Sequence, residues 1–447
     1  MKKDLMNKIN SSFLDFSKKV NGKYPKKFNE IRKNAFKNFN SLGFPTRADE
    51  EWKYADTSFI HKNDFAIFLD EEIDYQAVSD ISDFLINGNN TNIVVLINGR
   101  FSEKFSKINI EAEKIKIGSL TEALNYKAAT IDKHLARYAS FEKDPFVALN
   151  TAFVTDGCYI RAAEGVIIEN PIHILYINTA IENAPIVQPR NLIIVGECSQ
   201  LKIYETYHTV GTKPVFQNAV TEIFLKRFAN FEHYKVQHNN SNTYYIDTTQ
   251  VRQKRASIYT SNTFSLKGSF QRNTHNAYHD DELCQSNFYG MYYLEGTDFA
   301  DNHTLIEHAK ANCTSNELYK GIIDDKANAV FNGKIYVYKD AQQTSAYQSN
   351  KNILLSNDAV INTKPQLEIF ADDVKCSHGA TCGNLDKEQL FYLLSRGISE
   401  EKAKSLLLNA FASEIVEKVS IAELRDYVKK LVCKRFETEG IYFCEGM

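Results

Sequence analysis

Cys376 and His378 stand two residues apart in the run Cys376-Ser377-His378-Gly379-Ala380-Thr381. On an extended strand, side chains two apart project from one face, roughly 7 Å from each other, so a thiol and an imidazole can meet one bound object. Both are ligands for soft or borderline metal ions, and metal binding is the chemistry this pair could do. Cys382 shares their parity if the strand continues, and is read as incidental. Residue types alone favour a plainer reading, a buried thiol and a core or surface histidine near a strand end.

Two other groups invite a metal reading less well. His275 and His279, beside Asp280, Asp281 and Glu282, share a face at i and i+4, but the region reads as strand and turn and the group as a solvated loop. His303, Glu307 and His308 are a similar case. Neither contains His-Glu-x-x-His, so zinc-protease chemistry has no support. No Gly-x-x-x-x-Gly-Lys followed by Ser or Thr occurs either, so phosphate-cradling ATP chemistry is not expected of this chain.

The elements that would position these residues fall into three stretches. From Phe28, the residues Ile31, Ala35, Phe36 and Phe39 recur at helical spacing, with Gly43 and Pro45 as a stop signal. An α-rich domain is expected over residues 1–145. Over 146–382 the texture changes to short apolar or alternating runs, Ile172 to Ile177, Leu192 to Val195, Leu201 to Tyr207 and Ile223 to Leu225, separated by Asn, Thr, Ser and Gln. That spacing suits a sandwich, a barrel or a solenoid. An internal echo favours the solenoid, since Ala329-Val330-Phe331-Asn332-Gly333-Lys334 recurs about thirty residues on as Ala359-Val360-Ile361-Asn362-Thr363-Lys364.

Beyond the Cys-Ser-His stretch the period becomes helical. Asp386 with Gln389 resembles a capping box and Gly397 a stop; Ser399 opens a second helix and Ser420 a third. Residues 383–447 therefore read as a helical domain. Its apolar residues Leu406, Leu407 and Phe411 are expected to close the end of the solenoid, whose last coil otherwise exposes an apolar cross-section.

The Cys376–Thr381 run continues as Glu388-Gln389-Leu390-Phe391-Tyr392-Leu393 and Ser395-Arg396-Gly397-Ile398, and the chain opens with Gly43-Phe44-Pro45-Thr46-Arg47 followed by Glu51-Trp52-Lys53-Tyr54. Together, in this order and separation, the blocks resemble the SufB/SufD family of the SUF iron-sulfur cluster assembly system, on its SufD side, over essentially the whole chain. The resemblance implies a mainly β fold, a right-handed parallel β-helix core flanked by N-terminal and C-terminal α-helical domains. It implies a non-catalytic scaffold subunit that pairs with SufB, docks the ATPase SufC on its C-terminal helices, and shares a transient iron-sulfur cluster with SufB. His378, and beside it Cys376, match the positions that serve the nascent cluster; Leu406, Leu407 and Phe411 fall in the SufC-docking region. A reduced flavin belongs to the assembled complex and has no site on this sequence. Self-association of the chain when SufB is absent stays open.

Within the family, a SufB-like primary scaffold is disfavoured: Ser377 and Gly379 flank the histidine where SufB-like sequences carry Glu, and no clustered-cysteine motif stands near the start. A β-helical carbohydrate-active enzyme would need paired carboxylates. Asp324-Asp325 and Asp372-Asp373 are the obvious pairs, but neighbours on a strand face opposite sides. A thiol redox enzyme lacks both a Cys-x-x-Cys pair and a dinucleotide fingerprint.

The 447 residues carry a net charge of only −3, so no basic field draws the chain onto nucleic acid. The start, Met1-Lys2-Lys3-Asp4, lacks the apolar core of a secretory signal, and Ile93 to Ile97 is typical of the longest apolar runs, so a cytoplasmic chain without a membrane span is expected. Eight dispersed cysteines argue against a disulfide framework and read mostly as inert buried thiols.

Overall fold

The alternating runs fold as stacked passes of chain. The computed structural model describes residues 2–69, 73–86, 92–126, 128–240 and 242–436. Consecutive strands of the central region alternate between two sheets, one ending at Val360–Ile369 and the other at Val374–Gly383. Within each sheet every strand from Ile172–Ala180 onward pairs in parallel with the strand one coil away. The core is therefore a parallel β-solenoid, as the resemblance implied. Asn273 lies opposite Asn302, 29 residues on, and their side chains hydrogen-bond at 3.1 Å in a buried ladder.

The echo at Ala329 and Ala359 marks the period but not the register. The sheet pairs Ala329 with Ile361 and Asn332 with Lys364. The turns of that coil, 338–343 and 355–359, are longer than 309–313 and 324–327 of the coil before, and they push the echoed residues two positions out of line.

One corner repeats with no sequence signature. Cys198, Phe228, Ala256, Leu283, Asn312 and Gln343 all hold positive φ, between 54° and 62°. Each donates its N–H to a carbonyl of the next coil, as Phe228 does to Arg255 at 2.9 Å and Ala256 to Glu282 at 3.0 Å. A left-handed residue other than Gly costs roughly 1 kcal/mol, and the interlayer bond offsets it. The residue that follows each one is small and buried: Ser199, Ala229, Ser257, Cys284, Cys313 and Thr344.

The outer faces of both sheets carry apolar patches that are covered by helices. Lys26–Leu42, which buries Phe28, Ala35 and Phe39 and ends at Gly43 with φ 66°, packs with Pro145–Phe153 over Phe216, Ile246 and Phe270. The same N-terminal stretch also supplies Asn92–Ile97, parallel to Ile172–Ala180, and Ile115–Ser119, antiparallel to Cys158–Ala162. The solenoid thus draws its first strands from before residue 145, in a region read from sequence as α-rich.

At the other end, Lys387–Ser395, Glu400–Val416 and Ala422–Phe436 follow the last strand, and Asp386 caps the first of them by accepting the Glu388 and Gln389 N–H groups. Leu408, Ile415, Leu424 and Val428 bury an outward patch in which Tyr204 lies opposite Tyr234 and, two positions along the strands, Phe264 lies opposite Met291. Each such burial is worth about 2 kcal/mol. The expectation that these helices close the end of the solenoid is corrected: they lie along its flank, because that is where the apolar patch needs cover, and they leave the last coil open. Among the described residues no helix is long and apolar enough to cross a membrane.

Candidate functional site

The last strand, Val374–Gly383, pairs on one side only, with Thr344–Leu354. Register settles which way its side chains point. Cys376, His378, Ala380 and Cys382 lie opposite Ala346, Gln348, Asn350 and Asn352, all buried in the solenoid, whereas the alternate residues Ser345, Tyr347, Ser349 and Lys351 face outward. The two candidate ligands and Cys382 therefore share the inward face of the open coil. Cys376 is half-buried against Ile335, Ala341, Ala346 and Ala371, and burial raises its thiol above the ordinary value. His378 and Cys382 are exposed.

Beneath them lies a polar floor. The Tyr292 hydroxyl donates to Asn352 Oδ1 at 2.5 Å, Asn350 Nδ2 donates to that hydroxyl at 3.0 Å, and Asn352 Nδ2 reaches the Thr381 carbonyl at 3.3 Å. Directly under His378, Gln348 Nε2 donates to Glu317 Oε2 at 2.5 Å. In the facing sheet Gly333 leaves room for that amide, since a Cβ there would fall 2.3 Å from Gln348 Nε2.

Glu317 is wholly buried, and burial pushes its carboxyl from 4.5 up to about 7. The stability carried by its protonated form is present in full below the unfolded value and is lost as pH rises through about 7. Glu317→Gln removes that loss, so between about pH 6 and about pH 8 the urea midpoint of the variant is expected to gain on that of the wild type. An unchanged slope in the variant would show that Glu317 is not the titrating group.

Around the opening, large apolar side chains stay exposed: Phe370 at 57 %, Tyr347 at 46 % and Val360 at 44 %. Helix Lys387–Ser395, which follows immediately, exposes Phe391 at 71 % and Tyr392 at 57 %. Unpaired strand edges with an apolar rim are the surface on which another chain adds. Residue spacing could not reveal this rim, because it depends on where the stack of coils ends and on which outer faces the helices leave uncovered.

Leu406, Leu407 and Phe411 are split among three surroundings. Leu406 lines an apolar groove between Glu400–Val416 and Ala422–Phe436, with Ala410, Val416 and Val432. Leu407 is half-buried. Phe411 turns to the solenoid, where Lys320 Nζ sits 4.2 Å from its ring centroid and donates to its carbonyl at 2.8 Å.

The remaining sequence groups come apart. His275 and His279 are buried inside the solenoid rather than on a solvated loop, and Asp280 points away into Arg252 and Lys254. His303 bonds Asp301 at 2.8 Å and approaches Glu51 at 3.4 Å on the outer face, while His308 points inward. Asp324 and Asp325 bind backbone N–H groups in a turn, the second that of Gly296 at 2.8 Å. Of the cysteines, only Cys158, Cys284 and Cys313 are fully buried among the described residues; Cys198 and Cys382 are exposed, and Cys444 lies outside the described residues.

The N-terminal block has a visible structural task. Trp52 lies over the Arg272 guanidinium, 3.8 Å from ring centroid to Cζ, and Arg272 pairs with buried Asp301. Thr57 donates to the Pro45 carbonyl at 2.6 Å.

Residues 176–411 match the profile of the SUF system FeS cluster assembly SufBD core domain, and residues 4–174 that of the SufBD protein N-terminal region. The chain is 34 % identical over 407 residues to an iron-sulfur cluster assembly SufBD family protein of Synechocystis, covering 88 % of each. It is 27 % identical over 395 residues to the iron-sulfur cluster assembly protein SufD of Escherichia coli, covering 88 % of this chain and 89 % of that one. A chloroplastic protein of Arabidopsis thaliana, ABCI7, is 29 % identical over 413 residues, covering 90 % and 85 %.

Proposed function

The chain belongs to the SufBD family of iron-sulfur cluster assembly proteins, and on that footing we propose that it is the SufD-type scaffold subunit of a complex with SufB and SufC. The observation that carries the reading is the open last coil, which sets Cys376 and His378 on one inward face inside an apolar rim with unpaired strand edges. A second solenoid adding there supplies the missing coil and the remaining ligands, so that the nascent cluster is held between two chains.

The cluster is cargo. Imidazole in place of thiolate on an iron gives a more labile bond, which suits a site that builds a cluster and gives it away. His378 is the candidate ligand, with half-buried Cys376 beside it. The groove lined by Leu406 is the proposed seat of SufC, with Leu407 on the same helix. Phe411 ties that helix to the solenoid through Lys320, so a movement of docked SufC would be felt at strand Thr314–Ile323, two strands from the open edge. ATP hydrolysis then belongs to SufC and the seam between the solenoids is what it opens.

Co-purification with SufB and SufC of the same organism, followed by anaerobic iron and sulfide quantification, tests this. A ternary complex that accumulates cluster is the expected result. A chain that binds neither partner, or that holds a stable cluster alone, overturns the SufD-type assignment.

A further inference from the structure

His279 and His308, 29 residues apart in sequence, stack in adjacent coils with Nδ1 to Nδ1 at 3.2 Å. Cys313 enters the same space from the following corner, and the three ligand atoms lie within 4.8 Å of one another, all in fully buried residues. None of these residues touches the open last coil described above.

The hydrogen bonds around the pair fix most of its protons. Gln253 Nε2 donates to the Ser257 and Gln285 carbonyls at 3.1 and 3.0 Å, which turns Gln253 Oε1 toward Ser286. The Ser286 hydroxyl gives its proton to that oxygen at 2.6 Å, so Ser286 Oγ can only accept from His279 Nε2, 2.8 Å away. His279 is therefore the Nε2–H tautomer and its Nδ1 carries a bare lone pair aimed at His308.

His308 is free to choose. Its Nε2 faces the Ser315 hydroxyl at 2.9 Å, which can donate or accept. With Nδ1 protonated it hydrogen-bonds to His279. With the proton on Nε2 and the Ser315 hydroxyl rotated to accept it, two Nδ1 lone pairs converge beside a thiol. All three groups are buried, and the Cys313 thiol donates to the Asp281 carbonyl at 3.3 Å.

We propose that His279 Nδ1, His308 Nδ1 and Cys313 Sγ form a zinc-binding site inside the solenoid. Two nitrogens bound about 2.0–2.1 Å from a tetrahedral ion stand roughly 3.3 Å apart, and these already stand at 3.2 Å. Each outer nitrogen is held by a serine hydroxyl, the supporting bond that metal-ligating histidines use. Binding displaces one proton, that of the Cys313 thiol, to solvent; the His308 proton only moves from Nδ1 to Nε2. The ion links His279 of one coil to His308 and Cys313 of the next and so staples consecutive coils. This inference is independent of the scaffold reading.

The test uses the purified full chain, stripped with a chelator and reloaded with one equivalent of Zn²⁺ or Co²⁺. Expected are one zinc retained per chain through desalting, a raised thermal midpoint, and for cobalt a sulfur-to-metal charge-transfer band with intense tetrahedral d–d bands. Cys313→Ser and Cys313→Ala both suit a corner column that already holds Ser257 and Ala229, so each variant should fold; either should abolish the charge-transfer band and weaken zinc retention about tenfold or more. Cys376→Ala and His378→Ala should change neither readout. Zinc that washes off the wild type, or a charge-transfer band that survives Cys313→Ser or Cys313→Ala or disappears with His378→Ala, overturns the proposal.

Discussion

Glu222→Gln is expected to destabilise the protein by about 3–5 kcal/mol, the cost of leaving a buried charge without its partner. Glu222 is fully buried, and its two oxygens accept from the backbone N–H groups of Ala136, Arg137, Tyr138 and Ala139 at 2.7–3.1 Å. The Arg190 guanidinium, also buried, completes the set at 2.6 Å. An amide of the same shape has one acceptor in place of two and turns an N–H₂ toward donors, so Arg190 loses its counter-charge and part of the 136–139 loop is left unbonded. The comparison is Glu197→Gln, which breaks the 2.7 Å pair with Arg227 at a site where the arginine is 56 % and the glutamate 32 % exposed. Exposed pairs contribute roughly 0–1 kcal/mol. Urea midpoints of the two variants, with limited proteolysis between residues 132 and 143, give the answer. Equal midpoints would remove Glu222 as the anchor of that loop.

Glu222 shows where sequence reasoning stops. The carboxylate and its arginine lie in neighbouring strands of one sheet, 32 residues apart, and the loop it holds is about eighty residues away, so no local pattern joins them. What alternation and period can convey was legible: strand texture from Ile172 on, a repeat near thirty residues, and the common face of Cys376, His378 and Cys382, which the register with Ala346, Gln348 and Asn352 reproduces. Helix ends were legible where a side chain or backbone does the capping, as at Asp386 and Gly43. Missed were features set by stacking. The positive-φ corner passes through Cys, Phe, Ala, Leu, Asn and Gln, because an interlayer hydrogen bond rather than residue type holds it. His279 was read along its own strand with His275, while its nearest imidazole partner is His308 in the next coil. The flank position of the C-terminal helices depends on an outward apolar patch assembled from several coils, invisible until the coils are aligned.

On the open coil, three single substitutions should separate ligand from scaffold. His378→Ala is expected to lower cluster yield of the assembled complex about tenfold or more while leaving chain stability and complex formation unchanged. Its side chain is exposed and adds no packing, so a folding effect has no source. Cys376→Ala should have a smaller effect on yield, since burial keeps its thiol protonated, together with a slight loss of stability, because the sulfur packs against Ala346 and Ala371. Cys382→Ala should change neither, although it shares the inward face, because Asn352 below it is already bonded to Tyr292, Asn350 and Thr381 and presents the strand end as closed polar floor. Iron and sulfide per complex, measured anaerobically beside the urea midpoint of each free chain, resolve the three. A His378→Ala chain that no longer assembles would make the histidine part of the seam between subunits, and one with wild-type yield would move the ligand role entirely onto the partner chain or onto the two thiols.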